Sequence, residues 1–201
     1  MLSIAANGAQ EFDNNFKVFS CTDPELDWQQ YDEKTGKALV TKKGLELESK
    51  KEDYYCLTFA ELPINVEDDN FTVGFQMIPG DISDDKPFGI VFNYGDESDY
   101  YMLLILKNSL KVVNVKDGKM SVVKKGIYKR KNKSKMMTVT MTRDYNKLAF
   151  AIDGLEMMKI KCPKLEYPNF GFAVAPKAKM ICINIAYQIE ERKDTEESDS
   201  L

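Results

Sequence analysis

The run Pro87 to Leu106, Pro-Phe-Gly-Ile-Val-Phe-Asn-Tyr-Gly-Asp-Glu-Ser-Asp-Tyr-Tyr-Met-Leu-Leu-Ile-Leu, limits the possible folds more than any other stretch of the chain. It reads as two strands, Phe88 to Tyr94 and Tyr100 to Leu106, joined by an acidic turn through Gly95, Asp96, Glu97, Ser98 and Asp99. Side chains alternate along a strand, so Phe88, Ile90, Phe92 and Tyr94 are expected on one face and Gly89, Val91 and Asn93 on the other. Met102 to Leu106 is apolar on both faces. A strand that needs cover on both sides belongs in the middle of a layered β structure, and this hairpin is expected at its centre.

The rest of the chain repeats the pattern. Phe71 to Ile78 alternates, with Phe71, Val73, Phe75 and Met77 on one side and Thr72, Gly74, Gln76 and Ile78 on the other. Asp117-Gly118 lies between Leu110 to Val115 and Met120 to Val123, and Asp153-Gly154 lies between Leu148 to Ile152 and Leu155 to Ile160. Asp-Gly between apolar runs marks a tight hairpin, because its central residues need positive φ. A third hairpin joins Met136 to Arg143 with Lys147 to Ile152. Further strands are expected over Ala38 to Thr41, Leu45 to Leu47, Tyr54 to Phe59, Phe170 to Ala175 and Met180 to Ile189, the last with Ile181, Ile183, Ile185 and Tyr187 on one face. Phe12, Phe16 and Phe19 suggest a short strand pinned to a sheet edge.

About twelve strands with short turns and no helical period predict an all-β fold, an antiparallel two-sheet jelly-roll sandwich over residues 11–189. Residues 1–10 read as a flexible N-terminus. Ala6-Asn7-Gly8 there is like the end of a signal peptide and points to a periplasmic, cell-surface or secreted protein. Residues 190–201 hold six acidic residues and read as a disordered tail.

Composition narrows the chemistry. A 43% hydrophobic content supplies a core without metal or disulfide support. A net charge of -4 argues against a nucleic-acid partner, and no apolar run reaches membrane-spanning length. The chain has no histidine, which removes Ser-His-Asp and Cys-His catalysis and nearly all catalytic zinc sites. Cys21, Cys56, Cys162 and Cys182 form no C-x-x-C pair, and buried free thiols are expected.

Several of these stretches together resemble the concanavalin A-like lectin/glucanase superfamily, in the laminin-G-like form common in bacteria. The features that carry the resemblance are Phe12-Asp-Asn-Asn-Phe16 followed by Trp28, then Phe71-Thr-Val-Gly-Phe-Gln-Met77, then Phe88-Gly-Ile-Val-Phe92 with Asp99-Tyr-Tyr-Met102. Leu148-Ala-Phe-Ala-Ile-Asp-Gly154 and Asn169-Phe-Gly-Phe172 complete it, over Glu11 to Ile189. The resemblance implies a jelly roll and a function among sugar-binding lectins, glycoside hydrolases and adhesive modules. Its family-16-type hydrolases carry Glu-x-Asp-x-Glu on one strand. This chain offers only Glu46-Leu-Glu48, so no catalytic residue is assigned. The expected function is a non-catalytic carbohydrate-binding or adhesive module. A hydrolase with carboxylates from separate strands, or a structural or protein-interaction domain, are the alternatives.

For a glycan or polysaccharide partner, the expected ligand-binding residues are Asn93, Tyr94, Tyr100 and Tyr101, an aromatic and amide mixture around one hairpin, together with Trp28. Trp28 reads first as a core plug that hydrogen-bonds its indole N–H, and second as a platform for a sugar ring. Asp96 and Asp99 are the expected ligands if calcium binds, and Asp81, Asp84 and Asp85 form a second acidic loop. Between Lys124 and Lys135 lie seven basic residues and no acid, a candidate polyanion site unless the run is a solvated connection or the partner of the acidic tail.

Overall fold

A computed structural model describes residues 3–4, 10–80, 83, 85–128 and 134–190, and within them the chain forms strands and turns with no helix. One sheet has six strands, in the order β12 (Lys119–Ile127), β11 (Ser109–Lys116), β10 (Asp99–Ile105), β9 (Phe88–Asp96), β16 (Asn169–Val174) and β7 (Cys56–Glu61). The other has nine. Its path runs β15 (Leu155–Lys161), β14 (Lys147–Ile152), β13 (Met137–Asp144), β8 (Asn70–Pro79), β17 (Lys179–Glu190), β6 (Gly44–Ser49), β5 (Gly36–Thr41) and β4 (Tyr31–Asp32). The ninth strand, β3 (Lys17–Ser20), pairs with β17 through Asn184 to Tyr187, beyond the stretch that β6 covers. A separate pair, β1 (Ser3–Ile4) with β2 (Gln10–Glu11), falls in the N-terminal stretch expected to be flexible. The excess over a dozen strands comes largely from pieces only two residues long, β1, β2 and β4.

Each of these pairings is antiparallel, and the expected centre is where the sequence placed it: β9 and β10 are the two middle strands of the six-stranded sheet. Both Asp-Gly turns adopt positive φ at their two residues, 51° and 71° at Asp117-Gly118 and 48° and 77° at Asp153-Gly154. Between the sheets lie the fully buried rings of Phe71, Phe75, Phe92, Phe150, Phe170 and Phe172. Phe71 of β8 meets Phe170 of β16 edge to face at 5.8 Å, and Phe75 meets Phe172 at 5.6 Å, so ring contacts tie one sheet to the other. Cys21, Cys56 and Cys182 are buried free thiols, and Cys162 is a half-buried one.

Two β-bulges break the expected alternation. On β9, Asn93 to Gly95 fill the gap between the pairs Phe92–Tyr101 and Asp96–Asp99, where β10 has only Tyr100. Asn93 takes a left-handed φ of 51°, and Tyr94 turns to the outer face instead of joining Phe88, Ile90 and Phe92. On β17, Cys182 faces Met77 and Asn184 faces Gln76, which leaves Ile183 without a partner on β8. The core side is therefore Met180, Cys182 and Ile185 rather than the expected isoleucine row.

Phe172→Ala removes a ring packed against both Phe75 and Trp28. Unfolding in urea should show a loss of about 3–5 kcal/mol. A loss below about 1 kcal/mol would mean the inter-sheet rings do not hold the sandwich closed.

Candidate functional site

The outer face of the nine-stranded sheet is built from small and hydroxylic residues. Opposite the core row of β8 stand Thr72, Gly74 and Gln76; on β13 stand Thr138, Thr140 and Thr142; on β14, Ala149 and Ala151. Register sets these positions side by side. Ala151, Thr140, Gly74 and Ala186 form one row across β14, β13, β8 and β17, and Ala149, Thr142, Thr72 and Gln188 form the next. The Thr72 and Thr142 hydroxyls hydrogen-bond at 2.9 Å, and Asn184 Nδ2 donates to Gln76 Oε1 at 2.7 Å.

Phe12 lies on the middle of this face. Its ring rests against Gly74 so closely that a Cβ there would overlap it, and Phe16 packs behind at 5.2 Å between centroids. To one side, over β13, β14 and β15, is a groove of about 380 Å³ floored by Thr140, Thr142, Ala149 and Ala151 and rimmed by Asp144, Lys147, Glu156 and Lys159. To the other side, over β5, β6 and β17, a second groove of about 380 Å³ carries Lys37, Glu46, Glu48, Ile78, Lys179 and Ile181. Lys37 Nζ lies 3.7 Å from Glu46 and 3.5 Å from Glu48, and Thr41 Oγ1 donates to Glu46, so both carboxylates in this second groove already have partners.

The residues expected from the sequence to bind a ligand do not meet in these grooves. Asn93 is 4% exposed, and its Oδ1 accepts from the backbone N–H groups of Glu166 (2.6 Å) and Tyr167 (3.0 Å), which pins that loop to the β9 bulge. Tyr94 and Tyr100 do come together, stacked at 5.4 Å, with Phe59 at 4.1 Å from Tyr94. They do so on the outer face of the other sheet, packed with Val91, Met102 and Val113, and both rings are buried. Tyr101 faces inward and stacks on Phe92 at 5.5 Å. Trp28 is 3% exposed against Phe172, the core-plug arrangement, but its indole N–H has no acceptor among the described residues.

Asp96 and Asp99 sit opposite one another, and Asp96 Oδ1 accepts from the backbone N–H and hydroxyl of Ser98, bonds that hold its carboxyl below the usual range. Among the described residues no three His, Cys, Asp or Glu side chains converge. Asp81 and Asp84 lie outside the described residues. So do Lys129, Arg130, Lys131 and Lys133 of the basic run and residues 191–201 of the tail, whereas Lys124 and Lys125 extend β12. The sequence signal for the grooves was present in Thr138-x-Thr140-x-Thr142 and Ala149-x-Ala151, small residues alternating with core residues.

Gly74→Ala places a methyl against the end of the Phe12 side chain. The global midpoint in urea should move by less than about 1 kcal/mol, while hydrogen exchange of residues 10–16 speeds up. Unchanged exchange there would show that Phe12 is not seated on Gly74. The Tyr94 hydroxyl is pushed up to about 12 by burial and then by the charges of Glu97 and its neighbours. The phenol stays protonated in the fold above the pH near 10 at which an unfolded chain ionises. Its contribution is therefore complete below about pH 10 and is lost as pH rises towards 12. Tyr94→Phe should flatten the decline of stability between those values, followed by urea midpoints, and an equally steep decline would assign it to other groups.

No protein-family profile and no curated protein matches the chain. Solved structures do. A carbohydrate-binding module from Bacillus subtilis superposes with a TM-score of 0.58 at 12% identity, covering 81% of this chain and 96% of that one. A Bacillus subtilis protein of unknown function with a galectin-like fold gives 0.57 at 13%, over 83% and 91%. The exoplasmic/lumenal domain of VIP36, in a form bound to Ca2+ and Man3GlcNAc, gives 0.59 at 11%, over 89% of each chain. Likeness at these identities speaks to architecture: the chain has the concanavalin A-like, lectin-type jelly-roll fold.

Proposed function

We propose that the chain is a non-catalytic carbohydrate-binding or adhesive module that holds its glycan in the groove over β13, β14 and β15. The observation that carries this reading is the groove's make-up: a floor of Thr140, Thr142, Ala149 and Ala151 with charged side chains of both signs at its rim. A sugar ring needs a shallow recess for its body and hydrogen-bonding groups at the edges for its hydroxyls, and this recess offers both. The fold is shared with a bacterial carbohydrate-binding module and with a lumenal domain bound to Man3GlcNAc, which supports the same class of ligand.

Binding is favoured over hydrolysis by the placement of the carboxylates. Asp144 stands opposite Lys147 and Glu156 opposite Ala151, four residues further along β14. Their backbones are thus about 13 Å apart along the strand direction, a gap that both side chains would have to reach across to bring the carboxyls to the roughly 5–9.5 Å of a glycosidase pair. Glu156 is also paired with Lys159 at 2.8 Å.

Ala149→Trp fills the recess from an outward position and leaves the core row untouched. Glycans retained by the wild-type chain on an array should bind the variant at least tenfold more weakly, with an unchanged melting temperature. A chain that retains no glycan would leave the protein-interaction alternative, and a variant that binds like the wild type would place the ligand elsewhere.

A further inference from the structure

We infer that the glycan is acidic, carrying sulfate or uronic carboxylate groups, and that a third groove, beside the one over β13, β14 and β15, receives its charges; the inference rests on the carbohydrate-binding reading above. This third groove, of about 560 Å³, lies where the edge strand β12 of one sheet meets the edge strand β15 of the other. Lys124 reaches it from β12, Lys147 from β14, and Lys159 and Lys161 from β15. Asn146 adds an amide, and Val123 and Ile160 provide the apolar floor. No carboxylate lines it among the described residues, whereas Asp144 and Glu156 rim the adjoining groove and Glu46 and Glu48 line the one across β17. The chain as a whole is acidic, so the lysines are gathered here against the overall charge.

Register sharpens the point. Lys147 and Lys161 stand directly opposite each other across the β14–β15 pair, an arrangement in which like charges oppose pairing. Among the described residues neither has a carboxylate within ion-pair distance; of the four lysines only Lys159 does, to Glu156. The Lys124 ammonium donates to the Lys159 carbonyl at 2.7 Å, which fixes its charge at the mouth of the groove. Lysines on edge strands also prevent edge-to-edge aggregation, and that duty accounts for Lys124 and Lys161. It does not account for Lys147, which is on an interior strand.

The class of polyanion follows from the surroundings. Lys147 and Lys159 line both grooves, so one ligand can rest its rings over Thr140 and Ala149 and its charges among the lysines. A single-stranded nucleic acid would need aromatic rings for its bases, and none lines this groove.

The test uses the full chain with a heparin hexasaccharide, a galacturonic acid hexasaccharide, neutral xylohexaose and a twelve-residue oligothymidylate, followed by titration calorimetry at several salt concentrations. At least one of the acidic hexasaccharides should bind, with a slope of log affinity against log salt of about -2 to -3 for three or four lysine contacts. Lys147→Glu/Lys161→Glu should weaken it at least tenfold without lowering the melting temperature, and Lys43→Glu/Lys179→Glu on the far groove should leave it unchanged. The inference falls if neither acidic hexasaccharide binds, if the first double variant binds like the wild type, or if oligothymidylate binds as tightly. It falls too if binding appears only after residues 191–201 are removed, which would make the acidic tail the occupant. Xylohexaose binding without acidic hexasaccharide binding overturns this inference and leaves the neutral-glycan reading intact.

Discussion

Edge-to-face packing of phenylalanines across the sandwich is the contact on which the rest of the molecule depends. Phe71 and Phe75 project from β8, and Phe170 and Phe172 from β16, so the two pairs clamp one interior strand of each sheet to the other. Such pairs add about 0.5–1.5 kcal/mol each beyond the area they bury. Because core side chains, Phe71, Val73, Phe75 and Met77, occupy every second residue of β8, the intervening positions are released from core duty. Thr72, Gly74 and Gln76 fall on the outside for that reason, and the groove floor is the other side of the core pattern.

The six-stranded sheet solves a different problem. Its middle strands β9 and β10 are apolar on both faces, yet among the described residues no second sheet lies against the outer one. Cover comes from the sheet's own aromatic residues: Tyr94, Tyr100 and Phe59 stack with one another and pack with Val91, Met102, Val113 and Ala173. The Asn93 bulge makes this possible by turning Tyr94 outward, and the Asn93 amide then fastens the Glu166–Tyr167 loop alongside. Tyrosines that look like a ligand platform are thus used as a roof.

Much of the architecture was legible in the letters, because period-two alternation and Asp-Gly turns are local signals with strong physical causes. The central hairpin, the two tight turns and the order of core residues on β8 followed from them. Bulges were not legible. The bulges at Asn93 to Gly95 and at Ile183 add residues with no change in composition and turn the side chains around them to the other face. The recess over β13, β14 and β15 carries a weak sequence signal, because alanine and threonine shape it only by leaving space. The lysine groove was only partly legible: Lys147, Lys159 and Lys161 lie on one hairpin, but Lys124 joins them only where the edges of the two sheets meet.

The ring of Phe12 sits on a platform that does not exist until assembly is nearly complete. Gly74, Thr140 and Ala186 come from β8, β13 and β17, segments far apart in sequence whose pairing must precede the seat they make. The N-terminal segment is therefore among the last parts to dock and, held by few contacts, among the first to detach. Phe12 precedes β17 in the chain, so its seat between Gly74 and Ala186 is complete only once β17 has paired with β8.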